Sequence, residues 1–423
     1  MAVVLIGTLD TKGGELGFVR DALRARGLAT ITVDVGSLGP PTIEADIARA
    51  VVLRHADARE STDRGESVAA MARGVARLVA ELHREGQVDG VFGLGGSAGT
   101  VIGSAAMRAL PFGVPKVLVS TLASGQTRPF VAGSDIALFF PVADLAGLNR
   151  LTRVALNNAA HALAGMVNGR AGGDPAASPD PRRARVVAAT MFGVTTRCVD
   201  RARIQLEALA VARGDAVEVL VFHATGVGGQ AMEALIRDGE VDAVLDLTTT
   251  ELADELVGGI LSSGPDRLKA AVARGLPQVV SVGALDMVNF GPRDTVPDRF
   301  ADRTFHIHNP SVTLMRTTPA ENAALGRRMA ATLAEAAAPT VVLLPLGGLS
   351  AIDVAGTPWH DPAANEALFA ALRAGLAGHP VVRVVERPEA INDPAFADEA
   401  ARLVDSLLAQ LPSPEPTTGT AAS

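Results

Sequence analysis

Gly93-Leu-Gly-Gly-Ser-Ala-Gly-Thr100 is the stretch whose residue types point most directly to chemistry. It follows an apolar run and opens a helical pattern. Glycines let a backbone approach a ligand closely, and the unpaired N–H groups at a helix start favour an anion. Gly95, Gly96, Ser97, Gly99 and Thr100 are the candidate phosphate contacts, the serine and threonine adding hydroxyls. The same residues also read as a tight turn with Ser97 as N-cap. The run satisfies G-x-G-x-x-A through Gly93, Gly95 and Ala98. That fingerprint, however, belongs on a first βα unit and needs an acid ending the next strand. The next strand, Val117–Ser120, carries none, which disfavours a nicotinamide cofactor. No G-x-x-x-x-G-K-[ST] occurs, so the chain is not a P-loop NTPase.

Two more loops would share the same rim. Gly7-Thr-Leu-Asp-Thr-Lys-Gly13 directly follows the first strand, and ligands of open parallel sheets bind at the carboxyl ends of strands. Thr8, Asp10, Thr11 and Lys12 are placed to face that crevice. Lys12 suits a phosphate, and Asp10 suits a hydroxyl or, through water, Mg2+. Asp34 ends the second strand, a position suited to a ribose. The competing reading is that Asp10 and Thr11 only cap the following helix. Ser120-Thr-Leu-Ala-Ser-Gly125 follows the fourth strand and offers Thr121, Ser124 and Gly125. Three such loops on one sheet edge argue for a bound nucleotide more strongly than any one does.

The second half has its own polar set. Phe222-His-Ala-Thr-Gly-Val-Gly-Gly-Gln-Ala-Met-Glu233 reads equally as a plain glycine turn and as an anion cradle. Asp246-Leu-Thr-Thr-Thr-Glu251 places three hydroxyls between two carboxylates. Gly283-Ala-Leu-Asp-Met-Val-Asn-Phe-Gly291 puts Asp286 and Asn289 after another strand, and His306 and His308 share one face of an extended segment shortly before Arg316. His223, Glu251, Asp286 and His308 are the candidate catalytic groups, since such residues at strand ends exchange protons. Taken singly, each histidine also reads as a hydrogen-bonded core residue. No spacing here is diagnostic of a metal site. Cys198 opens a helix, which would lower its thiol pKa, although a lone buried cysteine is commonly structural.

Positioning these loops requires alternating strands and helices. Strands read at Val3–Ile6, Thr30–Val35, Gly90–Leu94, Pro115–Ser120 and Ile136–Pro141, with helices at Glu15–Ala25, through Ile43–Glu85 with a break near Asp57–Gly65, after Gly96 through Met107, and at Leu148–Met166. Residues 168–184, rich in Gly and Pro, form the best boundary. The plan restarts with strand Arg185–Ala189, helix Val199–Ala212, and strands Glu218–Phe222, Ala243–Leu247, Gln278–Val282, Thr340–Leu344 and Val381–Val385. Phe290–Thr318 lacks periodicity and reads as a long functional loop, and 412–423 as a disordered tail. The predicted fold is α/β: two Rossmann-like domains, 1–167 and 185–411, with mostly parallel sheets and helices on both faces.

Bulk properties agree. The 423 residues exceed one ordinary core. The net charge of −8 and the lack of a basic cluster beyond Arg182-Arg183-Ala184-Arg185 exclude nucleic acid as the main partner. One cysteine precludes an internal disulfide and fits a reducing compartment. With no signal peptide and no long apolar run, the chain is expected to be cytoplasmic and to have no membrane partner.

These motifs together resemble the family of the tomato mosaic virus resistance protein and its uncharacterised bacterial relatives. The resemblance rests on Gly7–Gly13, Gly95–Thr100, Ser120–Gly125, Asp144-Leu-Ala-Gly-Leu-Asn149, Thr190-Met-Phe-Gly-Val-Thr-Thr196, Phe222–Gly226, Asp246–Glu251, Gly283–Gly291 and His308-Asn-Pro310. It implies two α/β subdomains, ATP on the N-terminal one, and a homodimer. Some relatives carry a further C-terminal barrel domain; any activity needing it would call for a separate partner protein here. The resulting expectation is an ATP-dependent enzyme of small-molecule metabolism, with an unidentified substrate in a cleft between the domains. The alternative is a nucleotide-gated binding or regulatory protein without turnover.

Overall fold

A strand that is apolar at every position needs cover on both faces, and Ala2-Val-Val-Leu-Ile-Gly7 is buried throughout. The computed structural model describes residues 1–59, 61–125, 127–171 and 184–412. Two compact units result, Met1–Ser178 and Pro179–Ser423. Residues 172–183 of the expected linker and 413–423 of the expected tail lie outside the described residues.

The first unit runs β1 (Ala2–Gly7), α1 (Leu9–Arg24), β2 (Thr30–Asp34), α2 (Arg49–His55), α3 (Arg64–Arg84), β3 (Val88–Gly95), α4 (Ser97–Arg108), β4 (Lys116–Ser120), α5 (Arg128–Val131), β5 (Ala137–Phe139) and α6 (Arg150–Ala171). Its sheet is parallel, in the order β2-β1-β3-β4-β5. Alternation along β1 sends Val3 and Leu5 to one face, under α1 and α6, and Val4 and Ile6 to the other, under α3 and α4. Each such side chain contributes about 1.5–3 kcal/mol by burial.

The second unit runs β6 (Arg185–Met191), α7 (Thr196–Arg213), β7 (Val217–His223), α8 (Val227–Asp238), β8 (Ala243–Thr248), α9 (Glu251–Val257), α10 (Lys269–Arg274), β9 (Gln278–Gly283), β10 (Met287–Phe290), β11 (Phe305–Asn309), β12 (Val312–Arg316), α11 (Pro319–Leu333), β13 (Thr340–Pro345), α12 (Pro362–Leu376), β14 (Val382–Arg387) and α13 (Pro394–Leu408). Its parallel sheet has the order β14-β13-β9-β8-β6-β7. In both units, therefore, the first strand lies between the second and the third.

Two expectations need correction. Phe290–Thr318 is not a structureless loop: β10, β12 and β11 form a three-stranded antiparallel sheet. Its edge strand β11 exposes His306, Ile307 and His308, so no buried face marks it in the sequence. Residues 43–48 are not helical either. Ile47 bridges Val33, and Asp46 Oδ2 accepts Thr32 N–H at 2.7 Å, which draws this segment along β2 before α2 begins. No helix among the described residues is long and apolar enough to cross a membrane.

Candidate functional site

The strand order of the first unit creates a place for a ligand. From the centre the chain steps from β1 to β2 on one side and from β3 to β4 on the other, so the loops after β1 and β3 diverge and leave a crevice at their carboxyl ends. A pocket of about 300 Å³ lies there. Thr8, Asp10, Thr11 and Lys12 line it after β1, Val35, Ser37 and Leu38 after β2, and Gly95–Gly99 after β3.

The glycines of the β3–α4 turn permit close packing of backbone on backbone. A Cβ at Gly95 would stand 2.8 Å from Gly99 Cα, and one at Gly99 2.8 Å from Leu94 O. A Cβ at Gly96 would meet only Thr121 Oγ1, at 3.8 Å. The N-cap of α4 is Gly96, with no side-chain cap. The first helical bond runs from Thr100 N to Gly96 O, so the amides of Ser97, Ala98 and Gly99 have no intrahelical acceptor. Ser97 is thus the first helical residue, not the N-cap.

Several expected ligand groups are tied up elsewhere. Thr100 is fully buried, its Oγ1 donating to Gly96 O at 2.7 Å and pairing with Ser120 Oγ at 2.6 Å. Asp34 is 2% exposed: Oδ1 accepts Leu9 N–H at 3.2 Å and Gly36 N–H at 2.9 Å, and Oδ2 accepts Arg49 Nε at 3.2 Å. It organises the loop instead of presenting an acceptor to a ribose. Ser124 and Gly125 are exposed outside the lining, whereas Thr121 stands beside Gly96. Asp10 Oδ2 accepts Leu38 N–H at 2.7 Å and Gly39 N–H at 3.2 Å, stitching the loop after β2 to the first turn of α1. Asp10 Oδ1 is buried with no hydrogen-bond partner among the described residues. Lys12 departs from helical geometry (φ −128°, ψ 16°) and donates to Leu145 O at 2.5 Å.

The sequence reading missed Arg64, Ser67, Val68 and Met71 of α3, and quoted Asp144 only for the resemblance without assigning it to the site; all five line the pocket. A signal existed: Asp63 caps α3 through Glu66 N–H at 2.7 Å, and Asp-x-x-Glu would have placed Arg64 at the helix start. The wall therefore combines two cations, two carboxylates, several hydroxyls and an uncapped helix start with apolar Val35, Val68, Met71 and Ile102.

In the second unit the four candidate catalytic groups do not converge on one site. His223 is exposed and stacks on Phe192 with ring centroids 5.6 Å apart, and His308 is exposed on β11. Glu251 is fully buried: Oε1 accepts Gly226 N–H at 2.6 Å and Gly229 N–H at 3.0 Å, and Oε2 accepts Arg267 Nε at 2.7 Å. The guanidinium also holds Asp246 Oδ1 at 2.8 Å and faces Glu233 at 3.5 Å. Burial alone would lower the Arg267 pKa, but Asp246, Glu251 and Glu233 hold it well above its ordinary value. Burial raises the Glu233 carboxyl.

A separate cluster surrounds Asp286. Its Oδ2 accepts Ser350 Oγ and Trp359 Nε1, each at 2.7 Å, while Oδ1 is buried without a partner among the described residues. Burial, then the neighbouring Asp353 carboxylate, pushes Asp286 up to about 6. Asp353 Oδ1 pairs with His360 Nδ1 at 3.0 Å and Oδ2 accepts Asn365 Nδ2 at 2.7 Å. His306 meets the Trp359 ring edge-on at 6.2 Å. The sequence reading missed Asp353, Trp359 and His360, which lie far from Asp286 along the chain. Cys198 is corrected too: burial pushes its thiol up, overriding the helix start. Among the described residues no group of three or more His, Cys, Asp or Glu is arranged to hold a metal ion.

Comparison with known proteins gives a consistent family. The N-terminal domain model of the uncharacterised protein family UPF0261 matches residues 1–172, and its C-terminal domain model matches residues 184–408. A "UPF0261 protein" of Clostridium tetani is 44% identical over 411 residues, covering 96% of this chain and 98% of that protein. The "ToMV resistance protein Tm-1(GCR237)" of Solanum lycopersicum is 40% identical over 426 residues, covering 96% of this chain and 55% of that protein. Among solved structures, a putative UDP-N-acetylglucosamine 2-epimerase from Listeria monocytogenes aligns with a TM-score of 0.23 at 13% identity, over 66% of this chain and 78% of that one. So low a score carries no argument. The two domain models and the full-length relatives together place this chain in the UPF0261 family.

Proposed function

We propose that this chain is an ATP-binding protein and that the nucleotide occupies the pocket at the carboxyl ends of β1 and β3. The observation that carries the reading is the uncapped start of α4, with three amides lacking intrahelical acceptors, on the wall that also holds Lys12 and Arg64. Amides and a helix dipole of this kind favour a phosphate. Ser97, Ala98 and Gly99 would donate to it, and Lys12 and Arg64 would balance its charge. Val35, Val68, Met71 and Ile102 suit the base. Asp10 and Asp144 would hold Mg2+, a hard cation that takes one or two carboxylates beside phosphates. Ligand pockets span roughly 300–1,000 Å³, so part of a bound ATP projects from this one.

A thermal-shift panel of nucleotides with and without Mg2+ tests the reading. ATP should raise the midpoint, and no adenine nucleotide doing so at millimolar concentration would overturn it. One further observation favours turnover on a small-molecule substrate over simple gating. An imidazole whose Nδ1 is fixed by a buried carboxylate keeps Nε2 for proton transfer, and His360 sits on Asp353 in this way. Under this reading His360→Gln abolishes ATP-dependent turnover and leaves ATP binding unchanged. Unaltered turnover in that variant would remove His360 from the chemistry.

A further inference from the structure

We infer that the second unit's glycine cradle is permanently filled by the protein's own Glu251 carboxylate, so that one chain takes one nucleotide, in the first unit. The stoichiometry rests on the ATP reading above; the occupancy of the cradle does not.

The two sheets share the placement of their first three strands, and the second unit's glycine turn follows β7, the edge strand that answers to β2 of the first unit. Gly226-Val-Gly-Gly229 opens the 12-residue α8, and no side chain of its own N-cap closes it. This is the stretch whose residues alone read as either a turn or an anion cradle. In the structure its amides are taken by a carboxylate of the same chain, Glu251. Glu251 Oε1 takes both amides, at 2.6 and 3.0 Å. The fit leaves no room for a side chain: a Cβ at Gly229 would stand 2.1 Å from Glu251 Oε2. The buried Arg267 guanidinium grips Oε2 from another direction at 2.7 Å. Two amides and an arginine around one oxyanion are the donor set of a phosphate site, here satisfied by a carboxylate.

An outside anion cannot readily exchange with it. Glu251 is fully buried, and displacing it would strand a carboxylate inside the protein. Arg267 is already shared with Asp246 and Glu233, so an incoming phosphate would meet acidic neighbours that outnumber their cation. Removing the Glu251 side chain takes away the first obstacle and eases the second: the cradle empties, and the carboxylates facing Arg267 fall from three to two. Arg267 keeps Asp246 and Glu233, which supports folding of such a variant.

Two measurements test this. In isothermal titration of the full chain with ATP and Mg2+, one nucleotide per chain is expected. Two per chain would overturn the inference while leaving the ATP reading intact; none would overturn the ATP reading alone. Inorganic phosphate then probes the cradle itself in a Gly96→Val background, where the first unit's site is blocked. Phosphate should raise the melting temperature of Gly96→Val/Glu251→Ala in a saturable way and leave Gly96→Val and Gly96→Val/Glu251→Gln unmoved. A double variant indifferent to phosphate, or a Gly96→Val protein that responds equally, would overturn the inference. Should the Ala variant fail to fold, the wild-type amide resonances of Gly226 and Gly229 decide the matter. They should be protected from exchange and indifferent to millimolar phosphate, and movement on its addition would refute a permanent occupant.

Discussion

Gly96→Val isolates the phosphate contact from the fold. A Cβ at this position meets only Thr121 Oγ1, at 3.8 Å, so a side chain added there leaves the backbone without a clash at its first atom, beside the start of α4. Gly96 is the N-cap, where valine is poor, which costs the free protein about 0.5–1 kcal/mol. Hydrogen bonds to a charged group are worth about 1.5–3 kcal/mol each. Loss of two amide–phosphate bonds therefore weakens ATP by about 100- to 10,000-fold, at about 1.4 kcal/mol per tenfold. In wild type, ATP at about 100 times its dissociation constant stabilises by about 2.7 kcal/mol, or about 5–11 °C for a unit the size of Met1–Ser178. The assay is differential scanning fluorimetry with titrated ATP. The variant should lose that shift while its ligand-free midpoint falls by only about 1–4 °C. A normal ATP shift in Gly96→Val would refute the assignment of phosphate to this turn, and a large ligand-free loss would refute the claim that the position is open.

Other consequences follow from the same geometry. Because Asp34 is committed to Leu9, Gly36 and Arg49, ATP and 2′-deoxy-ATP should bind alike in calorimetry. Asp34→Ala should cost about 1–3 kcal/mol in urea unfolding by leaving the buried Leu9 and Gly36 amides without their acceptor. The Asp286 carboxyl lies at about 6, above the ordinary value of about 4. Its contribution to stability is complete below about pH 4 and is lost as pH rises through 6, by up to about 3 kcal/mol. Asp286→Asn should accordingly flatten the stability profile between pH 4 and 7, and an unchanged slope would place the titration elsewhere. Cys198, buried with a raised pKa, should resist thiol reagents until the protein unfolds, as a mass-spectrometric labelling time course would show.

Much of the architecture was legible because parallel strands covered on both faces read as unbroken apolar runs. β1, the Gly90–Leu94 part of β3 and the Val341–Leu344 part of β13 stand out for that reason. β11 was not, since an exposed edge strand of Phe-His-Ile-His-Asn has no inward face to reveal it. The glycine turn at Gly95–Gly99 was legible as a strand-to-helix turn that needs glycine, but the reason read for it was approach to a ligand, whereas Gly95 and Gly99 are pressed against backbone. Which carboxylate would fill which set of donors was not. Glu251 reads as a free acid at a strand end until Arg267, sixteen residues on, and Gly226, twenty-five back, are folded around it. Asp34 likewise reads as a ribose ligand until Arg49 folds back on it. Arg64 and Asp144 reach the pocket from elements remote from the glycine loops, and no local pattern ties them together.

The central claim is that the first-turn amides of α4 grip the phosphates of ATP. Amide-resolved NMR of the 15N-labelled full chain tests it most directly. On adding ATP with Mg2+, the resonances of Ser97, Ala98 and Gly99 should move downfield and saturate together with those of neighbouring pocket residues. If ATP binds while these three stay where they were, the account is contradicted.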